Sequence, residues 1–340
     1  MADENNKSRV INPHDKVIRE TYSDRENARS FLVNYLPDKV LNLVDLDTLE
    51  ISKDCFIEKE LADYYSDLLY KVNLTDGSQG FIYTLFEHKS YYDRFVHLQL
   101  LEYMVKIWRL HIKQHKGDNL KLPIVIPLLI YHARKEWPED TVRFTSLLSG
   151  PVDDLVGYIP DFGFELYDLH RFSDDQIKGT LASRVILLLL KHIRDPDLRQ
   201  KLPDIFALMQ TLMEKETGLQ WLEVVIRYLA SARDEDDLSV KQIKEIVEQT
   251  ISKETGEYVM TLLEKLRNEG RLEGEERGEK KGKLEGYRQA IELGITLKFP
   301  GDLDTVMPKV NKIDDLETLK EITKTIKTAN DISEILVLLK

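Results

Sequence analysis

The feature that most constrains the fold of this chain is a predicted β-hairpin in its first third. Two runs rich in β-branched and aromatic residues, YSDLLYKVNL and GFIYTLFEHKS, flank the polar segment TDGSQ. Asp76-Gly77 within that segment is typical of a tight turn between antiparallel strands. With the turn centred on Gly77, residues whose numbers add up to 154 lie opposite each other, so Asp67 faces Glu87. Lys89 follows Glu87 by two residues and shares its face.

These three residues predict a metal-dependent phosphodiesterase site. Two facing carboxylates repel each other, and a divalent cation with oxygen ligands resolves the conflict. Asp67 and Glu87 are expected to bind Mg²⁺, with Mn²⁺ as an alternative, while Lys89 orients or helps to deprotonate an attacking water. An ordinary salt bridge of Lys89 with either acid is the competing explanation, because such triplets are common by chance.

The segments around the hairpin predict a mixed α/β core with helices flanking a sheet. Residues 13–36 carry the periodicity of one or two helices, which Asp24 can cap. Asp93 can cap the next helix, and its apolar stripe is followed by predicted strands at 122–132 and 164–172. The core is therefore expected to be a sheet flanked by helices, and an all-helical C-terminal region follows it.

Strand signals stop at about residue 173, which divides the chain into four predicted parts. These are a nuclease-like core at 12–172, a helical accessory region at 173–257, a charged helix or linker at 258–293 and a small helical tail module at 294–340.

Within the charged tract, glycine recurs every four residues. The residues concerned are Gly270, Gly274, Gly278, Gly282 and Gly286. Such a stripe lets two helices approach closely and predicts a homodimer through 258–293. A frayed, solvated helix or linker is the alternative, because each glycine costs about 1 kcal/mol of helix propensity.

Composition restricts the compartment and the partners. Cys55 is the single cysteine, so an intramolecular disulfide framework and a multi-cysteine zinc site are excluded. The start MADENNKSRV lacks the apolar core of a signal peptide, and no apolar stretch is long enough to span a bilayer. A soluble cytoplasmic protein without membrane contact is expected.

A net charge of −12 argues against indiscriminate binding of polyanions, yet one region is basic. Residues 101–135 hold seven Lys or Arg against two acids. Four of these cations are candidate DNA-phosphate contacts: Lys106, Arg109, Lys113 and Lys116. A solvated helix face is the simpler explanation when these residues are considered alone.

Other polar residues are candidates for support of the site. Gln99 and Tyr103 are spaced i and i+4 on the predicted helix and form a polar strip beside the strand end. Together with the hairpin residues, this QxxxY spacing resembles a supporting motif of PD-(D/E)XK nucleases. Asp168 ends a predicted strand, where it either supports the site or lies in solvent.

A longer ordered set of segments resembles the recombination-promoting nuclease (Rpn) family, whose members are also described as YhgA-like putative transposases of the PD-(D/E)XK type. The segments are HDKVIRETYSDRENARSFLVNYLP, DLDTLEI, SDLLY, FEHKS, YMVKIWRLH and LPIVIPLLIYH, and the likeness covers about residues 12 to 290. It implies a restriction-endonuclease-like core sheet and an Mg²⁺-dependent DNA endonuclease linked to recombination or mobile elements, with Asp67, Glu87 and Lys89 as the catalytic core. Many relatives have Gln in place of Lys89. At this position the chain therefore differs from them and matches the standard superfamily motif.

The superfamily's first helix often adds an acidic residue near the metal, and Asp15 and Glu20 are both candidates here. Asp15 could equally be a helix cap, with His14 at the surface.

Two other functional classes remain open at this point. A decayed nuclease fold could serve assembly without catalysis, although all three catalytic candidates are intact. A complete transposase would need strand transfer in addition to hydrolysis, and no helix-turn-helix stands out in the sequence.

Overall fold

The computed structural model describes residues 13–51, 68–87, 92–117, 119–132, 135–138, 141–232 and 238–339. Within the described residues, three helices, three strands, one long helix and two further strands make up the first half of the chain, and helices follow. The strands are β1 (Val44–Ile51), β2 (Leu68–Leu74), β3 (Gln79–Glu87), β4 (Ile124–Tyr131) and β5 (Glu165–Asp168). The helices are α1 (Pro13–Tyr22), α2 (Arg25–Tyr35), α3 (Asp38–Leu41), α4 (Val96–Gln114), α5 (Leu181–His192), α6 (Leu198–Met213), α7 (Gly218–Ala232), α8 (Val240–Thr250), α9 (Lys253–Lys298), α10 (Leu303–Val310), α11 (Leu316–Thr328) and α12 (Ser333–Leu336).

The five strands form one mixed sheet in the order β1-β2-β3-β4-β5. The first three strands run antiparallel, whereas β3, β4 and β5 run parallel. Parallel neighbours end at the same edge of a sheet, and the long connection that they need is here provided by α4 between β3 and β4. The ends of β3, β4 and β5 therefore lie at one edge of the sheet.

Side-chain alternation divides the sheet between two hydrophobic clusters. On one face Leu69 and Leu129 pack with Leu100 and Ile107 of α4. On the other face alternate strand residues such as Tyr70 join a larger cluster that includes residues of α1, α2 and α5 to α8. Helices thus cover both faces, which confirms the predicted mixed α/β core, and the predicted helical C-terminal region is also confirmed.

The helices after residue 173 complete the same core as the sheet. Buried residues of this cluster extend from Val17 on α1 to Leu263 on α9. The chain divides into two compact units, Met1–Leu263 and Glu264–Lys340. The four-part division remains a prediction, but the sheet and the helices of 181–250 share one hydrophobic core.

The second unit has a small helical core of its own. Ile291 and Ile295 of α9 are buried with Val306, Leu319 and Ile322 of the helices that follow. The charged tract is continuous helix within α9, and its residues 267–283 are all exposed. Ion pairs at i, i+4 spacing, such as Arg271 with Glu275, lie along this exposed helix.

The predicted register of the hairpin is wrong by two positions. Leu68 pairs with Thr84 and Asn73 with Gln79, so paired residue numbers add up to 152 instead of 154. The N–H of Gly77 donates to the carbonyl of Leu74 (2.9 Å), and Gly77 has a φ of +83°. This is a three-residue connection with glycine in the left-handed position, centred one residue before Gly77.

The predicted direct pairing of Asp67 with Glu87 depended on the wrong turn centre. Thr84 is the last residue of β3 with a described partner on β2, and Glu87 lies three residues beyond it. Asp67 and Lys89 lie outside the described residues.

No helix in the described ranges is both long and apolar enough to cross a membrane.

Candidate functional site

The candidate site lies at the edge of the sheet where the three parallel strands end. Glu87 is the last residue of β3, and its main chain is paired with Tyr131 of β4. Tyr131 is in turn paired with Asp168, the last residue of β5. The ends of the three strands are therefore aligned in one row.

Asp168 is a structural carboxylate at this edge. Its side chain is 1% exposed and accepts hydrogen bonds from the main-chain N–H groups of Trp137 (2.8 Å) and His170 (3.0 Å). The guanidinium of Arg171 lies 3.6 Å away. The expectation that this carboxylate lies in solvent is wrong, because Asp168 holds together the loops that follow β4 and β5.

The first helix is anchored at the same edge by a buried pair of imidazoles. His132 directly follows β4, and its ring centroid lies 4.9 Å from that of His14 on α1. Nδ1 of His14 is 2.7 Å from the hydroxyl of Tyr228 on α7. Burial raises the pKa of Tyr228 well above its usual value, so this hydroxyl stays protonated. His14 is 8% exposed, and its assignment to the surface is wrong.

The two acids proposed for the first helix have different surroundings. Asp15 is partly buried and adjacent to His14, at the end of α1 that meets β4. Glu20 lies more than one turn later and is paired with Arg227 of α7, with an Oε2–Nη1 distance of 3.1 Å. The carboxylate of Glu20 is thus engaged between two helices.

Gln99 and Tyr103 lie one turn apart on α4, as predicted from their spacing. Tyr103 is 8% exposed and belongs to the apolar cluster under α4. The ammonium of Lys106 lies 5.2 Å from the centroid of the Tyr103 ring, so the basic face begins beside this tyrosine. Gln99 is partly buried on the same flank.

The four candidate DNA-phosphate contacts are exposed. Lys106, Arg109 and Lys113 recur along α4, and Lys116 follows its end. The acidic Glu102 is exposed on the same helix one turn before Lys106. This placement is compatible with a phosphate track and with an ordinary solvated face.

No group of three or more His, Cys, Asp or Glu side chains in the described ranges is arranged to hold a metal ion. The predicted metal ligands, Asp67 and the side chain of Glu87, lie outside the described side chains. Two carboxylates offer the oxygen ligands that Mg²⁺ prefers. The chemistry of the proposed donors therefore fits this ion.

The sequence did not reveal the contribution of α7 to this edge. His14 and Tyr228 are 214 positions apart, and neither residue carries a spacing signal that links them. The only available clue was the His14-Asp15 pair at the start of the first predicted helix.

Comparison with known proteins gives related chains and one family. The family model described as "Putative transposase, YhgA-like" matches residues 12–220. The inactive recombination-promoting nuclease-like protein RpnE of Escherichia coli K12 is 32% identical over 77% of this chain and 84% of its own length. RpnD of Escherichia coli O157:H7, a recombination-promoting nuclease, is 26% identical over 76% of this chain and 95% of its own length. RpnA of Escherichia coli K12, also named a recombination-promoting nuclease, is 27% identical over 78% of this chain and 86% of its own length.

No solved structure matches this chain significantly.

Proposed function

This chain belongs to the YhgA-like transposase family, and we propose that it is a metal-dependent DNA endonuclease with a role in recombination. The relatives RpnD and RpnA are named recombination-promoting nucleases, which supports a nuclease or recombination role. The structural observation that supports the proposal is the alignment of the ends of β3, β4 and β5, because the strand that ends at Glu87 is paired with β4, whose end meets the first helix through His132 and His14.

The corrected register is compatible with this site. A shift of two residues preserves the face to which each strand position points, because side chains alternate with a period of two. Asp67 and Glu87 can therefore serve one ion without being direct partners.

Each protein residue has a separate role in the proposed hydrolysis. Bound Mg²⁺ supplies Lewis-acid polarisation of the phosphate and a more acidic water. Asp67 and Glu87 hold the ion, and Lys89 orients the attacking water and offsets charge that develops at phosphorus. We assign the first-helix supporting role to Asp15, because it lies at the end of α1 that meets β4, whereas Glu20 lies more than one turn farther along the helix.

DNA is the proposed substrate, and the exposed cations of α4 are its proposed contacts. Lys106 lies beside Tyr103, and Arg109 and Lys113 continue along the helix. Each phosphate contact makes the negative slope of log affinity against log salt concentration steeper by about 0.9. The salt dependence of DNA binding therefore measures the contribution of these cations.

Removal of metal gives the direct test of this activity. Chelator-treated protein should leave supercoiled plasmid intact in EDTA and nick it after addition of Mg²⁺ or Mn²⁺. Because the ion provides both substrate contact and water activation, the rate should rise by at least about a hundredfold. Equal nicking with and without the ion would contradict the proposal.

A non-catalytic assembly protein is the second candidate. It is favoured by the name of RpnE, an inactive nuclease-like relative that matches 77% of this chain. The exposed glycine stripe of α9 would then provide self-association as the main activity. Purified protein that forms dimers but nicks no plasmid under any metal condition would favour this candidate.

A further inference from the structure

A small polar cavity lies between the hairpin and the last turns of α4, at the opposite end of β3 from Glu87. Its volume is about 110 Å³. Leu69 and Phe81 provide apolar walls, whereas Gln79 and Gln114 add side-chain amides. Two imidazoles, His111 and His115, also line this cavity. The cavity is thus large enough for an ion with bound water, and it carries several groups that could bind one.

The two imidazoles face each other one helical turn apart. Their ring centroids are 4.2 Å apart, and the ring planes differ by 26°. Nδ1 of His115 donates a hydrogen bond to the main-chain carbonyl of His111 (3.0 Å), since a carbonyl can only accept. Nε2 of His115 therefore carries a lone pair in the neutral ring.

His111 has a similar arrangement. Its ring also lines the cavity, on the last turn of α4. The neutral form of the His111 ring likewise carries one nitrogen lone pair. A histidine that donates one nitrogen to a carbonyl and offers the other is the usual form of a metal ligand.

The electrostatic surroundings favour a cation at this point. The last turn of α4 exposes carbonyl groups at the negative end of the helix dipole. Lys71 also lines the cavity, but its ammonium lies 3.8 Å from the carboxylate of Glu50, which partly offsets its charge.

We propose that His111 and His115 form a binding site for a divalent transition-metal ion such as Zn²⁺, Ni²⁺ or Cu²⁺. Imidazole nitrogen suits these ions, whereas Mg²⁺ takes oxygen ligands. Because no third His, Cys, Asp or Glu of the described ranges completes the site, water and the amide oxygens of Gln79 or Gln114 fill the remaining positions. The bound ion would join His111, in the last turn of α4, to His115, which follows the end of the helix.

Titration of tag-free, chelator-treated full-length protein with Zn²⁺ tests this site. Wild type should bind one equivalent that excess Mg²⁺ does not displace. His111→Ala and His115→Ala should each weaken binding by at least about tenfold, because each removes one of two nitrogen ligands. His115 is exposed, so its substitution should leave the fold intact, and Ile112→Ala on the same turn, at 52% exposure, is the matched control.

A spectroscopic measurement distinguishes this site from metal bound elsewhere. With Cu²⁺, electron paramagnetic resonance should show two nitrogen ligands in wild type and in Ile112→Ala, but one in His115→Ala. Failure of wild type to bind Zn²⁺, or equal binding by wild type and both histidine variants, would overturn the proposal. Neither result depends on nuclease activity, so the endonuclease proposal is tested separately.

Discussion

Tyr228 is one of the α7 residues that contact the first helix, and it does so at the candidate site through His14. Tyr228→Phe keeps the ring but removes the hydroxyl that lies 2.7 Å from His14. Because the nitrogen of His14 is then left buried without this partner, the free energy of unfolding should fall by about 1 to 2 kcal/mol. Urea denaturation measures the change. The control Tyr158→Phe, at a position 89% exposed, should leave stability unchanged, and equal stability of both variants would contradict the assigned role.

Asp174 should make part of the stability dependent on acid pH. Burial raises the pKa of Asp174, but hydrogen bonds from Lys191 and His192 outweigh burial and hold the pKa below its usual value. The unfolded chain therefore binds this proton more readily than the folded chain. The stabilising contribution is complete above the unfolded pKa of about 3.9 and is lost as the pH falls through the lower, folded value.

Asp174→Asn tests this pH dependence. Since the side chain is 38% exposed, the variant should lose only about 1 kcal/mol at pH 7, and the difference from wild type should shrink below about pH 4. Denaturation at both pH values measures it, with the exposed Asp175→Asn as control. A difference that is constant with pH would contradict the assignment.

At the scale of single elements, substitutions of glycine in the exposed part of α9 distinguish an effect on helix stability from an effect on self-association. A Cβ atom at Gly274, Gly278 or Gly282 would meet nothing within 4 Å. Replacing all three with alanine should therefore increase helix stability by up to about 1 kcal/mol per site in a single chain. If two copies pack through this stripe, the added methyl groups should also shift the protein from dimer to monomer.

Light scattering and circular dichroism of the triple variant measure these two effects. The dimer proposal expects a dimeric mass for wild type, a monomeric mass for the variant, and higher helicity for the variant. A wild type that is monomeric, or a variant that dimerises as tightly as wild type, would remove the glycine stripe as an interface.

Elements that are marked by a helix cap or by a change in hydrophobic periodicity were predictable from the sequence. Asp24 caps α2 by accepting a hydrogen bond from the N–H of Asn27, as its position before a helical run indicated. The change from strands to helices after Asp168 was also visible as a change in periodicity. Such features depend on neighbours within a few residues along the chain.

Features set by tertiary geometry were not predictable in the same way. The hairpin register depends on which residue of the turn adopts a left-handed conformation, and Asp76-Gly77 is compatible with more than one loop length. The contact between His14 and Tyr228 joins residues whose separation along the chain gives no periodic signal. Burial of Asp168 likewise depends on the Trp137 loop.

For the whole molecule, the shared core implies that α5 to α8 stabilise the sheet and its candidate site together. Residues of these helices occupy one hydrophobic cluster with α1, α2 and one face of the sheet. His14 and Glu20 both contact α7, so the orientation of the first helix depends on this later segment. An endonuclease of this design would need the helical region for an intact site.

The central claim is that Asp67, Glu87 and Lys89 carry out metal-dependent DNA hydrolysis. The most direct measurement is the rate of plasmid nicking in Mg²⁺ by wild type and by the three single alanine variants. Glu102→Ala, an exposed acid on α4, serves as the matched control. The account predicts that each site variant loses at least about a hundredfold in rate while the control keeps the wild-type rate. Nicking by the three site variants at the wild-type rate would contradict it.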